Sequence, residues 1–239
     1  MRPVSFVICA AGSGARFREN GLDISKPLIR LNGKSMLERS IEALELQPSD
    51  QLIVICQRKD HLPSHFGLSP RIEWLELDQP TGGQLETYLK AANLVAHEDI
   101  VIFNCDTFFT CPDLRLLIDS GKYQGIIPCS IQPGTSWSFC KIDDDDNVTE
   151  VAEKKRISDW ASVGYYYFHG KERLHELAQK ECLKAKVSES YVAPLYNEFL
   201  LAGLKIKLAR VEQFLPFGTI DQVEKYWGIS FAELIRQNT

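Results

Sequence analysis

The hydrophobic positions of this chain change period as it runs. Val4–Ala10, Gln51–Cys56 and Asp99–Asn104 are short continuous apolar runs, the signature of strands covered on both faces. Within Ser35–Leu46 the small and apolar residues Met36, Leu37, Ser40, Ile41 and Leu44 recur at helical spacing, so a helix is expected there. Arg71–Leu77 predicts a further strand and Gln84–Ala96 a further helix. Strands alternating with helices imply a mostly parallel sheet with right-handed crossovers, and such sheets bind ligands at the carboxyl ends of their strands.

The rhythm changes after residue 125. Gly125–Ile131, Ser138–Ile142, Val148–Glu153 and Ser162–Phe168 follow as strands in quick succession, with Asp143-Asp144-Asp145-Asp146-Asn147 as a solvated hairpin turn. Helix is expected over Lys171–Lys184, Tyr191–Ala202 and Ile220–Gln237, and a half-exposed strand over Lys205–Val211, where Lys205 and Lys207 alternate with Ile206 and Leu208. The fold class is α/β: a mostly parallel, Rossmann-like sheet flanked by helices, with a lobe inserted after residue 125 that covers the ligand edge. No repeat or linker divides the chain, so residues 1–239 are read as a single domain.

Composition narrows the possible functions. A length of 239 residues at 44% hydrophobic content suffices for a large core. A net charge of −5 without a basic stripe argues against a nucleic-acid partner. Seven scattered cysteines, odd in number and without a Cys-x-x-Cys pair, read as core residues in a reducing compartment, and the five histidines form no ligand-like cluster. The sequence has neither a signal-peptide pattern nor an apolar run long enough to cross a membrane, so a cytoplasmic protein is expected.

Candidate chemistry begins where the first strand ends. Ala10-Ala11-Gly12-Ser13-Gly14-Ala15-Arg16-Phe17 is followed, after a polar loop, by Ser25-Lys26-Pro27. Gly12 and Gly14 let backbone N–H groups approach an anion, and Arg16 and Lys26 supply two cations for separate phosphoryl groups. A dinucleotide site is the alternative. Against it, the third glycine of that fingerprint is replaced by Phe17, and Gln57 and Arg58 stand where an acidic residue would end the second strand.

Asp106 directly follows a buried strand, where a carboxylate can hold Mg²⁺ or simply cap a turn. The segment Asp78-Gln79-Pro80-Thr81-Gly82-Gly83-Gln84 joins a strand to a helix. Its glycines would let a ligand lie against backbone, and the Gln84 amide could read a base edge; an ordinary connecting loop explains the same residues. Glu153, Lys154 and Lys155 are ambiguous by chemistry alone, His175 reads as a surface residue, and Trp137, Tyr165 to Tyr167 and Tyr191 are either pocket-lining or core.

These residues carry a family likeness. VICAAGSGARFRENGLDISKPLIRLNGKSMLERSIEAL resembles the N-terminal signature of the nucleotidyltransferases that make nucleotide-activated sugars. QPTGGQLET, NCDTFF, EVAEKKRISDWASVGYYYF, SYVAPLYNEF and LPFGTIDQVEKY follow in the family's order over nearly the whole chain. The likeness is strongest to the short, single-domain members found in capsule and surface-polysaccharide gene sets. It implies a GT-A-like fold and a Mg²⁺-dependent displacement at the α-phosphate of a nucleoside triphosphate. By position, it further implies that Arg16 contacts the triphosphate, Lys26 neutralises the α-phosphate and Asp106 holds the metal. Ala10, Ala11, Gly12, Gly14, Gln79, Gly82, Gly83 and Gln84 would bind the nucleotide; Glu153, Lys154, Gly164 and Tyr191 would bind the acceptor.

One departure matters: many relatives have a second metal-binding aspartate two residues before the glycine of the last block, whereas this chain has Pro216-Phe217-Gly218-Thr219. The leading expectation is a nucleotidyltransferase acting on a sugar 1-phosphate. A cytidylyltransferase acting on a phosphocholine-like or amino-alcohol phosphate, a nucleotide-binding regulator with weakened catalysis, and a dinucleotide oxidoreductase are the alternatives, and a homo-oligomer stays open.

Overall fold

The structure is a computed structural model describing residues 1–66, 71–184 and 189–238. The first half supplies β1 (Val4–Cys9), the small hairpin β2 (Arg30–Leu31) and β3 (Lys34–Ser35), then β4 (Gln51–Gln57), β5 (Ile72–Leu77), β6 (Asp99–Asn104) and β7 (Thr107–Thr110). The second supplies β8 (Gly125–Ile131), β9 (Ser138–Ile142), β10 (Val148–Glu153), β11 (Trp160–Ser162), β12 (Tyr165–His169), β13 (Ile206–Arg210) and β14 (Gln213–Pro216). The helices are α1 (Ala15–Arg18), α2 (Met36–Glu42), α3 (Leu62–Phe66), α4 (Gln84–Lys90), α5 (Leu114–Asp119), α6 (Lys171–Lys184), α7 (Leu195–Leu201), α8 (Ile220–Trp227) and α9 (Phe231–Gln237). Among the described residues, no helix is long and apolar enough to cross a membrane.

Ten strands share one sheet in the order β10-β9-β11-β8-β12-β6-β1-β4-β5, with β13 added beside β8. β5, β4, β1 and β6 run parallel, in keeping with the continuous apolar sequences of β4, β1 and β6. The segment expected as an inserted lobe is built as an antiparallel extension of this sheet, through β12 on β6 and β8 on β12. Chain direction along the sheet reverses its order at β1, which lies between β4 and β6, so a crevice opens at the carboxyl ends of β1 and β6.

Alternation along the buried strands divides the core. Val7, Ile53, Ile102 and Phe168 face one layer with Tyr88 and Tyr196, whereas Phe6, Val54, Phe103 and Tyr165 face the other with Phe109. A third cluster joins Phe17, Leu22, Ile29 and Met36 to Phe217, Val223 and Leu234, so the C-terminal helices brace the glycine loop. Five of the seven cysteines are buried and all are free thiols.

Several elements differ from the sequence reading. The strand expected over Ser162–Phe168 divides into β11 and β12, because Gly164 adopts φ +83° and a Cβ there would lie 2.1 Å from Asn104 Nδ2. The helix expected over Ile220–Gln237 is two helices: Gly228 closes α8 in the left-handed region, and the Ser230 side chain caps α9 by accepting from Glu233 N. The α2 helix begins at a Ser35–Glu38 capping box and ends at Glu42 with Ala43 as its C-cap, short of Leu46, and Glu45 turns to φ +49°. The antiparallel ribbon of β7 and β14 is not evident in the sequence pattern. His175, expected on the surface, is half-buried against Tyr88 with its Nε2 unpartnered, and burial lowers its pKa.

Candidate active site

A cavity of about 630 Å³ occupies the crevice. Its floor comes from the chain leaving β1 and β6; its walls come from α4, the β9–β10 hairpin, residues 189–192 and the start of α8. Ala10, Gly12, Gly14, Arg16, Lys26, Gln84, Asp106, Glu153, Lys154, Gly164 and Tyr191 all line it. Ala11, Gln79, Gly82 and Gly83 do not. Ala11 sits in the core behind the loop, Gln79 and Gly82 are exposed, and Gly83 forms the turn into α4. A second cavity of about 490 Å³, beside Tyr123 and Leu204, holds none of these residues.

The glycine loop is held from below and left open above. Gln57, at the position where a dinucleotide fold would carry an acid, donates its Nε2–H to the Ala11 carbonyl at 2.7 Å. Gly14 enters α1 at φ +64°, and Phe17, the residue in place of a third glycine, is fully buried and anchors the helix. Among the described residues, the N–H groups of Gly12, Ser13 and Gly14 have no protein acceptor, and the exposed Arg16 makes no ion pair. Three free donors and a guanidinium lie at one mouth, a set of groups with the chemistry to receive an anion.

Lys26 follows Ser25 and packs its stem beneath Gly14, where a Cβ would lie 3.2 Å from Lys26 Cβ. Its ammonium is paired with Asp106 Oδ2. Burial pulls the lysine pKa down and Asp106 more than offsets this, so the net shift is upward and Lys26 stays charged. The β7–β14 ribbon sets Asp106 opposite the last turn: Phe217 N donates to the Asp106 carbonyl at 3.0 Å. Asp106 is the carboxylate expected to hold Mg²⁺, yet no group of three His, Cys, Asp or Glu side chains suited to a metal occurs among the described residues.

The far end of the cavity is built on β10. Ser138 Oγ donates to Glu153 Oε2 and lies 3.1 Å from the Tyr166 hydroxyl, while burial raises the Glu153 pKa. Lys154 has φ +52°, an unusual backbone for lysine, held by its N–H on the Trp137 carbonyl at 3.0 Å. Its ammonium meets the Tyr191 hydroxyl, stands 4.5 Å from the Tyr191 ring centroid and lies 3.5 Å from Glu189 Oε2. Tyr191 raises the Lys154 pKa. Trp137 and Tyr166 also line this end. Tyr165 does not: it packs in the opposite layer against Phe6, Phe103 and Phe109.

In the cavity wall Gln84 Nε2 is buried with no hydrogen-bond partner among the described residues, a donor available to a ligand. The sequence reading missed Ser138, Glu189 and Gln222 as lining residues. Glu189 and Ser138 carry no local signal, and only the proximity of Gln222 to Gly218-Thr219 could have marked it.

The sequence of residues 6–139 matches the model of the MobA-like NTP transferase domain. The chain belongs to that family. Its membership makes it a nucleotidyltransferase enzyme. The bifunctional protein GlmU of Methanocaldococcus jannaschii is 28% identical over 186 residues, which cover 77% of this chain and 43% of that protein. GlmU of Methanococcus aeolicus is 23% identical over 204 residues, covering 84% and 49%. The chain therefore spans less than half the length of these relatives.

Solved structures agree. A nucleoside-diphosphate-sugar pyrophosphorylase from Vibrio cholerae RC9 superposes with a TM-score of 0.77 at 26% identity, covering 93% of this chain and 99% of that one. A putative glucose-1-phosphate thymidylyltransferase from Bacillus anthracis has a TM-score of 0.77 at 16% identity, covering 98% and 94%, and shares the fold.

Proposed function

We propose that the protein transfers the nucleotidyl group of a nucleoside triphosphate to a phosphorylated small molecule, a sugar 1-phosphate in the leading form, with release of pyrophosphate. The observation that carries it is that one cavity is lined both by the glycine loop with Arg16 and the Lys26–Asp106 pair and by Glu153 with Lys154. Residues 1–239 act here as one domain, because strands from both halves of the chain share the sheet.

An oxygen of the acceptor phosphate attacks the α-phosphorus, the bond from that phosphorus to the bridging oxygen breaks, and its electron pair leaves with pyrophosphate. The nucleophile is already an anion, so no base or covalent intermediate is needed. Positioning and charge neutralisation are the tasks left to the protein. The N–H groups of residues 12–14 and Arg16 hold the β- and γ-phosphates. Lys26 meets the α-phosphate, and Gln84 donates to the base. Lys154, steadied by Tyr191, holds the acceptor phosphate, while Glu153 accepts from acceptor hydroxyls and Gly164 admits the acceptor close to backbone. Asp106 would hold Mg²⁺, which, when bound, supplies charge neutralisation at the phosphates. The site fits such an ion: Asp106 Oδ2 already carries one cation, the Lys26 ammonium, and a Cβ built on Gly218 would fill a cradle bounded by Asp106 Oδ2 and Gln222 Oε1.

A second reading keeps the reaction and changes the acceptor to an amino-alcohol phosphate. It is favoured by the two carboxylates Glu153 and Glu189 and the rings of Trp137, Tyr166 and Tyr191 around the acceptor end. The test crosses the common nucleoside triphosphates with sugar 1-phosphates and amino-alcohol phosphates and measures pyrophosphate. Release that needs both substrates and a divalent cation supports the proposal, and the productive acceptor chooses between readings. Nucleotide binding with no release from any pair would leave a nucleotide-binding regulator instead.

A further inference from the structure

The position two residues before Gly218 is Pro216, which has no oxygen in its side chain to offer a cation. The structure puts another oxygen beside the carboxylate. A Cβ built on Gly218 would lie 2.8 Å from Asp106 Oδ2 and 3.2 Å from Gln222 Oε1, so both oxygens converge on one small cradle that only glycine leaves free. Gln222 is fixed there. Its backbone N–H is capped by Thr219 Oγ1 at 3.2 Å, and its Oε1 accepts from Gly218 N at 2.8 Å, which leaves one lone pair directed elsewhere. Gln222 lines the same cavity as Lys26 and Asp106.

We propose that Gln222 is the second protein oxygen donor of the metal site, a neutral one. This rests on the reading of Asp106 as the metal carboxylate. A donor set of one carboxylate and one amide oxygen, with Lys26 competing for the carboxylate, would hold a free divalent cation weakly, in keeping with the preference of Mg²⁺ for one or two carboxylates plus substrate phosphates. Capping of the Gly218 turn would explain the same hydrogen bonds, so the test must separate the two roles. Glutamate keeps the capping oxygen and adds a charge.

The experiment titrates the ligand-free protein with Mn²⁺ and follows the free-ion electron paramagnetic resonance signal. Gln222→Glu is expected to bind Mn²⁺ roughly tenfold more tightly than the natural chain, since affinity follows the charge count of the ligands, and Asp106→Asn in that background should abolish the gain. Equal Mn²⁺ binding in Gln222→Glu and the natural protein overturns the role of Gln222 alone. A gain that survives Asp106→Asn puts the ion elsewhere and overturns the reading of Asp106 too. A second variant, Gln222→Met, is read with inorganic tripolyphosphate by calorimetry. The enhancement of its affinity by Mg²⁺ should fall several-fold while affinity in chelator is unchanged; an equal loss in both conditions would mark Gln222 as a cap and overturn the proposal.

Discussion

Lys26 and Asp106 are each other's counter-ion in this structure, and on the proposed reading substrate has to divide them. Arg16, in contrast, is exposed and makes no ion pair among the described residues. The two cations should therefore fail differently. Arg16→Ala and Lys26→Ala are each expected to lower kcat/KM on the order of a hundredfold, with the Arg16 loss expressed in the nucleotide KM and the Lys26 loss in kcat; steady-state kinetics of both variants checks this, and unchanged kinetics would return the loop to an ordinary turn. Glu153 adds a pH signature. Burial raises its pKa, so the folded state holds the proton more tightly than the unfolded chain does. The penalty for ionising it is absent below the usual glutamate range and develops as pH rises through the folded pKa. Glu153→Gln removes that penalty. Its melting temperature relative to the natural protein should rise from acidic to neutral pH; a difference independent of pH would contradict the burial argument.

At the scale of elements, the strap of residues 189–191 links both ends of the cavity. Ser190 N donates to the Gly82 carbonyl at 3.0 Å and Leu85 N to the Ser190 carbonyl at 3.2 Å, while Glu189 and Tyr191 hold Lys154. Gly83 permits this: its φ is +146° and a Cβ would lie 2.6 Å from Ser190 O. Gly83→Ala should cost about 2 kcal/mol or more and lower the melting temperature by several degrees. Asp99 is a second test. It is 3% exposed, accepts from Arg2 Nε and the Tyr167 hydroxyl at 2.7 Å each, and lies 2.9 Å from His169 Nδ1. Burial alone would raise its pKa, but these partners lower it, so the stabilisation is present above the usual aspartate value and is lost as pH falls through the folded pKa. Asp99→Asn should destabilise by about 3 kcal/mol at neutral pH, by chemical denaturation, and progressively less in acid. The continuous apolar strands and the loop Gly12–Lys26 were legible because their pattern is local. The β7–β14 ribbon was not, since its four-residue strands pair across about a hundred residues and neither alternates strongly enough to be seen alone.

On the proposed reading the whole molecule serves to place two phosphates in line, and this joins segments distant in sequence: residues 12–17, 26, 84, 106, 153–154, 189 and 191 line one cavity at the sheet's switch at β1 and β6. Arg16, Lys26 and Asp106 could be named from the sequence because glycines and a buried strand announce them. Glu189 could not, and Gln222 only by its nearness to Gly218-Thr219, because their place in the cavity arises from what folds beside them. The claim that this cavity performs nucleotidyl transfer is tested most directly by the fate of label. A nucleoside triphosphate labelled in its α-phosphate, and the same nucleotide labelled in its γ-phosphate, are turned over with the productive acceptor. The account predicts that α-label appears in the activated acceptor and γ-label only in pyrophosphate; γ-label on the acceptor, or α-label in free nucleoside diphosphate, would contradict it.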